Sequence, residues 1–236
     1  MNNVTCVNAM IVAGGKGARM HADISKQYLK LQGEYIISLT LKTFEECPLI
    51  RDIVVVVAED CRHFFEHDIA PAFPKIKKVV TGGVTRQESV WFGLESMPSD
   101  TKMVLIHDAV RPFVESSHIR HIIEETHTHK SCTLGVKVVD TIKIVKDDLA
   151  VETPDREHIY AIQTPQAFDY QAIVAAHKKA RLDGYTGSDD SVLLDRIGIP
   201  TKIVEGSYRN IKITTPEDLR YGEVLLGSVL SGSKSN

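Results

Sequence analysis

Residues 7–31, VNAMIVAGGKGARMHADISKQYLKL, decide the fold that this sequence predicts. The stretch opens with an apolar run that is typical of a buried strand, and it then breaks into a loop that contains Gly14, Gly15 and Gly17. Glycines let a backbone come close to a ligand because no Cβ stands in the way, so that successive N–H groups can converge on anionic oxygens. A strand followed by this loop therefore predicts a phosphate-binding turn.

Two cations near this loop favour a polyphosphate ligand. Arg19 lies within the loop, and Lys26 follows a few residues later. The stretch lacks the G-x-x-x-x-G-K-[ST] spacing of a P-loop, and Met20 stands where a dinucleotide-binding fingerprint has its third glycine. Glycines at a strand-to-helix turn also occur for backbone geometry alone, but the two cations favour the phosphate-binding interpretation.

Composition limits the classes of function that fit the chain. Its 236 residues are 43% hydrophobic, which is enough for one large α/β domain over residues 1–236. A formal net charge of −3 gives no overall attraction to nucleic acid or to anionic membranes, and no apolar run approaches a membrane span. The four cysteines are scattered, without the spacing of a zinc site or a disulfide framework. We therefore expect a cytoplasmic protein with reduced thiols and a small ligand.

The first half of the chain alternates between predicted strands and helices. After the opening strand, these are strands at residues 53–57, 78–81 and 103–107 and helices at residues 36–44, 61–69 and 86–97. Such alternation predicts a doubly wound, mostly parallel sheet, whose ligands lie beyond the carboxyl ends of the strands. We therefore expect the glycine loop at the ligand-binding edge.

A second glycine loop, TGGVTRQESV at residues 81–90, follows a predicted strand. Gly82 and Gly83 can again bring backbone close to a ligand, and Ser89 is expected in the first turn of the next helix. The alternative is that Thr85 caps the helix and the glycines only form a turn.

An acid and a base follow the next strand, within LIHDAVRP at residues 105–112. An unpaired charge is costly at the exit of a buried strand, so Asp108 and Arg111 either pair with each other or face a ligand.

The pattern changes after residue 134. Residues 136–145 alternate in hydrophobicity, and Lys146, Asp147 and Asp148 predict a turn before a second short strand. We expect these residues to form a protruding β-arm at about 138–158. An isolated hairpin is marginally stable, so we expect a partner subunit to cover it.

The last third of the chain is predicted to return to the core and end in a flexible polar tail. Its predicted elements are a strand at residues 159–168, helices at 170–182 and 192–197, a strand at 210–214 and a tail at about 228–236. Thr215 and Pro216 indicate the cap and the first turn of a final helix. Lys212 alternates with apolar neighbours, so we expect it on the face opposite to them, toward the active site.

These motifs resemble the sugar-phosphate nucleotidyltransferases, whose pattern is a glycine loop, then Arg-Met, then Pro-Lys-Gln. Ser25 replaces the proline here, while Lys26 and Gln27 are kept. The chain is most similar, over nearly its whole length, to the 2-C-methyl-D-erythritol 4-phosphate cytidylyltransferase family. The resemblance implies a Rossmann-like nucleotidyltransferase fold that forms a homodimer through the β-arm.

The resemblance also implies an activity. It is the transfer of CMP from CTP to 2-C-methyl-D-erythritol 4-phosphate in non-mevalonate isoprenoid precursor synthesis, with pyrophosphate released and Mg²⁺ on the triphosphate. One alternative is ribitol 5-phosphate cytidylyltransferase, which DAVRPF at residues 108–113 favours, whereas DTIK at 140–143 and SDD at 188–190 favour the methylerythritol enzyme. A second alternative is a nucleotide-binding module without turnover.

The family pattern implies roles for individual residues. The residues implied in catalysis are Arg19, Lys26, Arg156 and Lys212. Those implied in nucleotide binding are Ala13, Gly14, Gly15, Gly17, Gly83 and Ser89. Those implied in binding the polyol phosphate are Asp108, Arg111, Thr141, Thr164 and Ser188, the last standing where relatives usually have threonine. Thr141 and Arg156 belong to the arm and are expected to reach the neighbouring subunit's site, and no side chain is expected to ligate a metal.

Overall fold

The computed structural model describes residues 6–15 and 25–232, with side chains described as far as residue 227. Its strands are β1 (Val7–Ala13), β2 (Lys30–Leu31), β3 (Glu34–Tyr35), β4 (Asp52–Val57), β5 (Ile76–Thr81), β6 (Met103–Asp108), β7 (Ser131–Lys137), β8 (Ile144–Lys146), β9 (Leu149–Glu152), β10 (Tyr160–Asp169) and β11 (Lys202–Glu205). Its α-helices are α1 (Ile36–Glu46), α2 (Glu59–Phe64), α3 (Arg86–Glu95), α4 (Ser116–His129), α5 (Tyr170–Leu182), α6 (Ser191–Asp195) and α7 (Pro216–Gly232).

Seven of these strands form one central sheet in the order β11-β7-β10-β6-β1-β4-β5. All neighbours in it are parallel except β10, which runs antiparallel to both β6 and β7. The predicted doubly wound, mostly parallel sheet is therefore confirmed. Within the described residues, no helix combines the length and the apolar character needed to cross a bilayer.

Strand β4 explains why the sheet is covered on both faces. Ile53, Val55 and Val57 belong to one core cluster, together with apolar residues of α1 and α4. Val54 and Val56 point to the opposite face and belong to a second cluster with residues of α3 and α5. Successive strand residues face opposite sides, so a continuous run of β-branched residues requires helices on both.

The start of α3 carries the cap that its sequence predicts. Thr85 Oγ1 accepts a hydrogen bond from the Glu88 N–H (3.1 Å), and the Glu88 carboxylate accepts one from the Thr85 N–H (3.0 Å). This reciprocal pair satisfies two N–H groups that the helix would otherwise leave unbonded. It also fixes the loop of Gly82 and Gly83 immediately before the helix.

Strands β8 and β9 form a separate two-stranded hairpin, within the predicted arm at about residues 138–158. Its turn places Asp147 and Asp148 at φ of +49° and +62°, a conformation that Asp tolerates better than most residues. Val145, Leu149 and Val151 on the hairpin have 58%, 70% and 60% of their surface exposed. These exposed apolar residues form a surface that a second chain can cover.

Three features near the carboxyl terminus differ from the prediction, and the first is β11, a strand at a place where the sequence predicts none. Residues 210–214 do not form a strand, because their N–H groups are bonded elsewhere: Ile213 donates to the Val110 carbonyl (2.9 Å), and Thr214 donates to the Asp218 carboxylate (2.8 Å). Helix α7 runs on to Gly232, into the segment expected as a tail. The predicted cap is correct, since Thr215 Oγ1 accepts from the Asp218 N–H at 3.2 Å.

Candidate active site

A cavity of about 1040 Å³ lies beyond the carboxyl ends of β1, β4, β5 and β6. Its wall is made by the residues that follow each strand. These are Val12 to Gly15 and Lys26–Gln27 near β1, Ala58 to Asp60 after β4, Gly82 to Arg86 with Ser89 after β5, and Asp108 to Val110 after β6, with Lys212 from the segment before α7. The site therefore lies at the edge that the strand–helix alternation predicts.

The buried side-chain amide of Gln27 holds the first glycine loop in place. Gln27, only 1% exposed, donates from Nε2 to the Ala13 carbonyl (2.7 Å) and to the Gly15 carbonyl (3.4 Å). Because Gln27 adjoins Lys26, the same bonds hold the lysine beside the loop. Ala13, Gly14 and Gly15, predicted to bind nucleotide, and Lys26, predicted to act in catalysis, all line the cavity. The predictions for Gly17 and Arg19 fall outside the described residues.

The two glycine loops meet at Ser89. Its hydroxyl donates to the Thr85 carbonyl (2.9 Å) and accepts from the Gly83 N–H (3.0 Å). A Cβ on Gly14 would lie 3.3 Å from Ser89 Oγ, and one on Gly82 would lie 2.8 Å from it. At 2.8 Å a Cβ clashes with the hydroxyl, so the second loop approaches Ser89 closely only with glycine at position 82. Gly83 and Ser89, both predicted to bind nucleotide, line the cavity.

Asp108 lies at the centre of a cluster of cations. Its side chain is 9% exposed, and among the described residues three cationic groups lie near it: Lys212 Nζ at 2.6 Å, Arg86 Nε at 3.4 Å and Arg111 Nε at 3.9 Å. Burial alone would raise the pKa of Asp108, but the positive charges of Arg86, Lys212 and Arg111 outweigh burial and hold this pKa well below its usual range. Asp108 is therefore a carboxylate at neutral pH, and the cluster around it carries net positive charge.

Arg86 and Asp190 also belong to this site, although neither is among the residues for which the sequence predicts a role. Arg86 Nη1 lies 2.7 Å from Asp190 Oδ2, and Asp190 has a side chain only 1% exposed. Burial lowers the pKa of Arg86, but the negative charges of Asp190 and Asp108 raise this pKa by more than burial lowers it, so the guanidinium stays charged. Arg86 stands within TGGVTRQESV, between Gly83 and Ser89, which are predicted to bind nucleotide, and this position is the signal that could have identified it.

Two predicted substrate-binding residues lie behind the cavity wall. Arg111 donates from Nη1 to the Asn210 carbonyl at 2.7 Å, and its side chain is 11% exposed. Thr164 accepts from the Asp108 N–H at 3.1 Å. Neither residue lies on the described wall. In this structure both residues support the groups that line the cavity.

Comparison with known proteins decides the family. A sequence profile of 2-C-methyl-D-erythritol 4-phosphate cytidylyltransferase matches residues 7–228. The chain belongs to this family. It is 41% identical over 223 residues to the enzyme of that name from Caldanaerobacter subterraneus subsp. tengcongensis, covering 93% of this chain and 98% of the relative. It is 44% identical over 221 residues to the enzyme of the same name from Desulforamulus reducens, covering 92% of this chain and 94% of that relative.

A solved structure agrees with this assignment to the cytidylyltransferase family. The crystal structure of 4-diphosphocytidyl-2C-methyl-D-erythritol synthase from Anaerococcus prevotii is 33% identical, with a TM-score of 0.86, and covers 95% of this chain and 97% of that one. The predicted resemblance and fold are thereby confirmed. The ribitol 5-phosphate alternative is not favoured, because the sequence relatives above are named for the methylerythritol substrate.

The remaining residues implied by the cytidylyltransferase pattern are exposed. Thr141 and Arg156 lie on the arm and outside the described wall of their own chain's cavity. Arg156 Nη1 donates to the Val139 carbonyl at 2.7 Å, which holds it at the return of the arm. Ser188 is exposed and also lies off the described wall.

The hydrogen bonds of His107, a buried histidine next to Asp108 in this cytidylyltransferase, fix which ring nitrogen carries the proton. His107 is fully buried, and desolvation lowers its pKa from 6.5 to about 4, so its imidazole is neutral at pH 7. The Arg111 carbonyl, 3.1 Å from Nε2, can only accept, so Nε2 carries the proton. Nδ1 then accepts from the Thr164 hydroxyl at 3.0 Å. These bonds tie the strand that carries Asp108 to β10.

We expect the stability of the protein to fall between pH 6.5 and pH 4 because of His107. As the pH falls below 6.5, the unfolded chain binds a proton at this imidazole, whereas the folded protein binds it only near pH 4. The free energy of unfolding should decrease across this window by up to about 3 kcal/mol and be constant above it with respect to this group. Urea denaturation at a series of pH values measures the decrease.

Two glutamine variants separate this effect from general acid denaturation. His107→Gln should flatten the dependence between pH 6.5 and pH 4, whereas His121→Gln, at an exposed position on α4, should keep it. A wild-type pH slope in His107→Gln would contradict the assignment of this window to His107.

Proposed function

We propose that the protein transfers CMP from CTP to 2-C-methyl-D-erythritol 4-phosphate and releases pyrophosphate. The observation that carries the proposal is one cavity, in a chain of this family, that combines two glycine loops meeting at Ser89 with a cluster of cations around Asp108. Glycine-lined backbone and neighbouring cations suit a triphosphate, and the surplus of positive charge suits a second anionic substrate.

The proposed reaction needs no general base. An oxygen of the acceptor phosphate attacks the α-phosphorus of CTP, a new P–O bond forms, and the bond from that phosphorus to the bridging oxygen breaks, so that pyrophosphate leaves with the electron pair. The second pKa of a phosphate monoester is about 6, so the nucleophile is already largely dianionic at neutral pH. Catalysis therefore depends on holding two anions in line and on stabilising charge at the leaving oxygens.

The described cations divide between these two tasks. Lys26, beside the first glycine loop, is suited to the charge that develops on the departing pyrophosphate, and Arg19 has the same role by family pattern. Lys212 and Arg156 hold the acceptor phosphate. Asp108 accepts hydrogen bonds from the polyol and keeps the Lys212 ammonium in place, 2.6 Å away.

Magnesium fits this donor set as a metal held mainly by substrate. Within the described residues, no group of three or more His, Cys, Asp or Glu side chains could hold a metal ion. Mg²⁺ commonly takes one or two carboxylates and completes its shell with phosphate oxygens and water. Glu59 and Asp60 provide carboxylates on the cavity wall and would hold the ion there, in contrast to the expectation from the family pattern that no side chain ligates a metal. When bound, Mg²⁺ neutralises charge on the triphosphate oxygens.

The second glycine loop should select a pyrimidine. The Gly83 N–H and the Ser89 O–H already donate to Ser89 Oγ and to the Thr85 carbonyl, so the Gly83 carbonyl and the second lone pair of Ser89 Oγ remain to accept hydrogen bonds from the base. The close approach of Gly82 to Ser89 restricts the space for that base. We expect kcat/KM with ATP or GTP to be lower than with CTP by about 10-fold to 10²-fold. Steady-state kinetics with each nucleotide at fixed acceptor concentration measure this ratio. Equal turnover with ATP would mean that this loop does not read the base.

We further propose a homodimer in which the arm completes the partner's cavity. The support is the exposed apolar surface of the β8–β9 hairpin, together with the position of Arg156 at its return. A cytoplasmic location is proposed on chemical grounds, since all four cysteines are free thiols, as is usual in a reducing compartment.

Pyrophosphate release tests the function directly. The purified protein is incubated with CTP, Mg²⁺ and either 2-C-methyl-D-erythritol 4-phosphate or ribitol 5-phosphate, and pyrophosphate and the cytidylylated polyol are quantified. The expected result is rapid, acceptor-dependent release with the methylerythritol substrate. Faster release with ribitol 5-phosphate would reassign the acceptor, and CTP binding without release in either case would favour the module without turnover.

A further inference from the structure

The segment that carries Lys212 lacks the backbone support of a strand. Residues 210–214 are irregular, although the sequence predicts a strand there. Ile213, fully buried, ties the segment to the loop after β6 through the Val110 carbonyl (2.9 Å). A lysine side chain is flexible, so its ammonium keeps one position only if the backbone that carries it is fixed. The backbone on the amino-terminal side of Lys212 therefore needs a second anchor.

Asn210 is anchored on that other side by two separate elements. It is 1% exposed, and its Nδ2 donates to the Thr164 carbonyl (2.9 Å) and to Gln163 Oε1 (3.3 Å) on β10. Its carbonyl accepts from Arg111 Nη1 (2.7 Å). Both partners of Nδ2 are carbonyl-type acceptors, which fixes the orientation of the amide.

The same threonine ties this anchor to the acid that Lys212 contacts. Thr164 accepts from Asn210 with its carbonyl, and its hydroxyl accepts from the Asp108 N–H (3.1 Å). Asp108 and Asn210 are therefore held on one residue of β10. Lys212, two positions after Asn210, spans the short remaining gap to Asp108 at 2.6 Å.

We propose that Asn210 is a positioning residue for Lys212. It holds the backbone from which the ammonium reaches the acceptor phosphate, and Arg111 acts with it from behind the cavity wall. This inference deepens the proposed cytidylyl transfer and rests on it for its kinetic consequence. Its structural consequence, the placement of the Lys212 amine, can be measured without turnover.

The kinetic test is a double-mutant cycle of Asn210→Ala and Lys212→Ala. Asn210→Ala alone should lower kcat/KM for the acceptor by about tenfold, because a displaced cation loses most of its effect, while KM for CTP stays unchanged. In the Lys212→Ala background the same change should have almost no further effect. The proposal would be overturned if the losses of the two single variants were additive, or if kcat/KM for CTP fell as much as kcat/KM for the acceptor.

The second readout does not depend on activity. Acetic anhydride labels exposed lysines, and mass spectrometry compares Lys212 with Lys42, a surface lysine with a side chain 68% exposed. An amine held 2.6 Å from a carboxylate is shielded, so Asn210→Ala should raise the labelling of Lys212 relative to Lys42. Unchanged labelling would overturn the proposal even if the wild-type enzyme is active. Wild-type protein without transfer activity would instead overturn the proposed function, and the labelling ratio would still decide the role of Asn210.

The variants need a folding control. CTP binding by calorimetry and circular dichroism should match the wild type in Asn210→Ala, because Asn210 lies off the described cavity wall that the glycine loops form. If that variant does not fold, Asn210→Ser removes the same Nδ2 donor and keeps a small polar side chain. Failure of both to fold would also overturn the proposal, since it would assign Asn210 to the stability of the fold.

Discussion

Replacing Lys26 by alanine is expected to lower kcat by about 10²–10³ while CTP binds almost as tightly as before. Lys26 is held beside the first glycine loop because the neighbouring Gln27 amide bonds to the Ala13 and Gly15 carbonyls. A charge at that point interacts most strongly when negative charge shifts onto the leaving pyrophosphate. In the proposed site the backbone N–H groups of the loop also bind CTP, so we expect only a small loss of ground-state binding.

Single-turnover kinetics and calorimetric titration with CTP separate the two quantities. Lys42→Ala is the matched control, because it removes an exposed lysine whose partner is Glu46, on the same helix at 3.9 Å. We expect wild-type kcat in the control and a large loss in Lys26→Ala. Arg19→Ala should behave like Lys26→Ala by family pattern. Unchanged turnover in Lys26→Ala, or a loss explained entirely by weaker CTP binding, would remove Lys26 from the chemistry.

The features of the site that could be predicted from sequence are local in the chain. The glycine loop after β1, the loop with Gly83 and Ser89, and Asp108 at the exit of β6 each follow directly from a strand. The carboxyl ends of parallel strands share one edge of a sheet, so predicting the strands was enough to bring these residues together. The capped start of α3 is local in the same sense.

The features that could not be predicted depend on contacts between distant parts of the chain. Arg86 and Asp190 are 104 residues apart in sequence, and Asn210 and Thr164 are 46 apart. No periodicity or spacing specifies such pairs. The failed strand at 210–214 has the same origin, since alternation there matches a strand, but the N–H groups of Ile213 and Thr214 bond to Val110 and Asp218. Tertiary hydrogen bonds thus override the local pattern.

Subunit mixing is expected to restore activity to a pair of inactive variants, Arg156→Ala and Lys26→Ala. If the arm of one chain completes the cavity of the other, a heterodimer has one cavity with both cations intact and one with neither. Random exchange makes half of the dimers mixed, so recovery should approach about a quarter of wild-type activity. Arg156 has no place on the described wall of its own chain's cavity, which is why its effect should come from the partner.

The matched control mixes Lys26→Ala with Lys212→Ala. Both lysines line the cavity of one chain, so no heterodimer can combine them in a single intact site, and activity should stay low. Differently tagged subunits and native mass spectrometry establish that heterodimers form in both mixtures. Recovery in the first mixture alone is the expected result. Heterodimers of Arg156→Ala with Lys26→Ala that remain inactive would mean that Arg156 acts within its own chain or has no role in the site. The apolar residues of β8 and β9 would then cover a surface other than the partner's cavity.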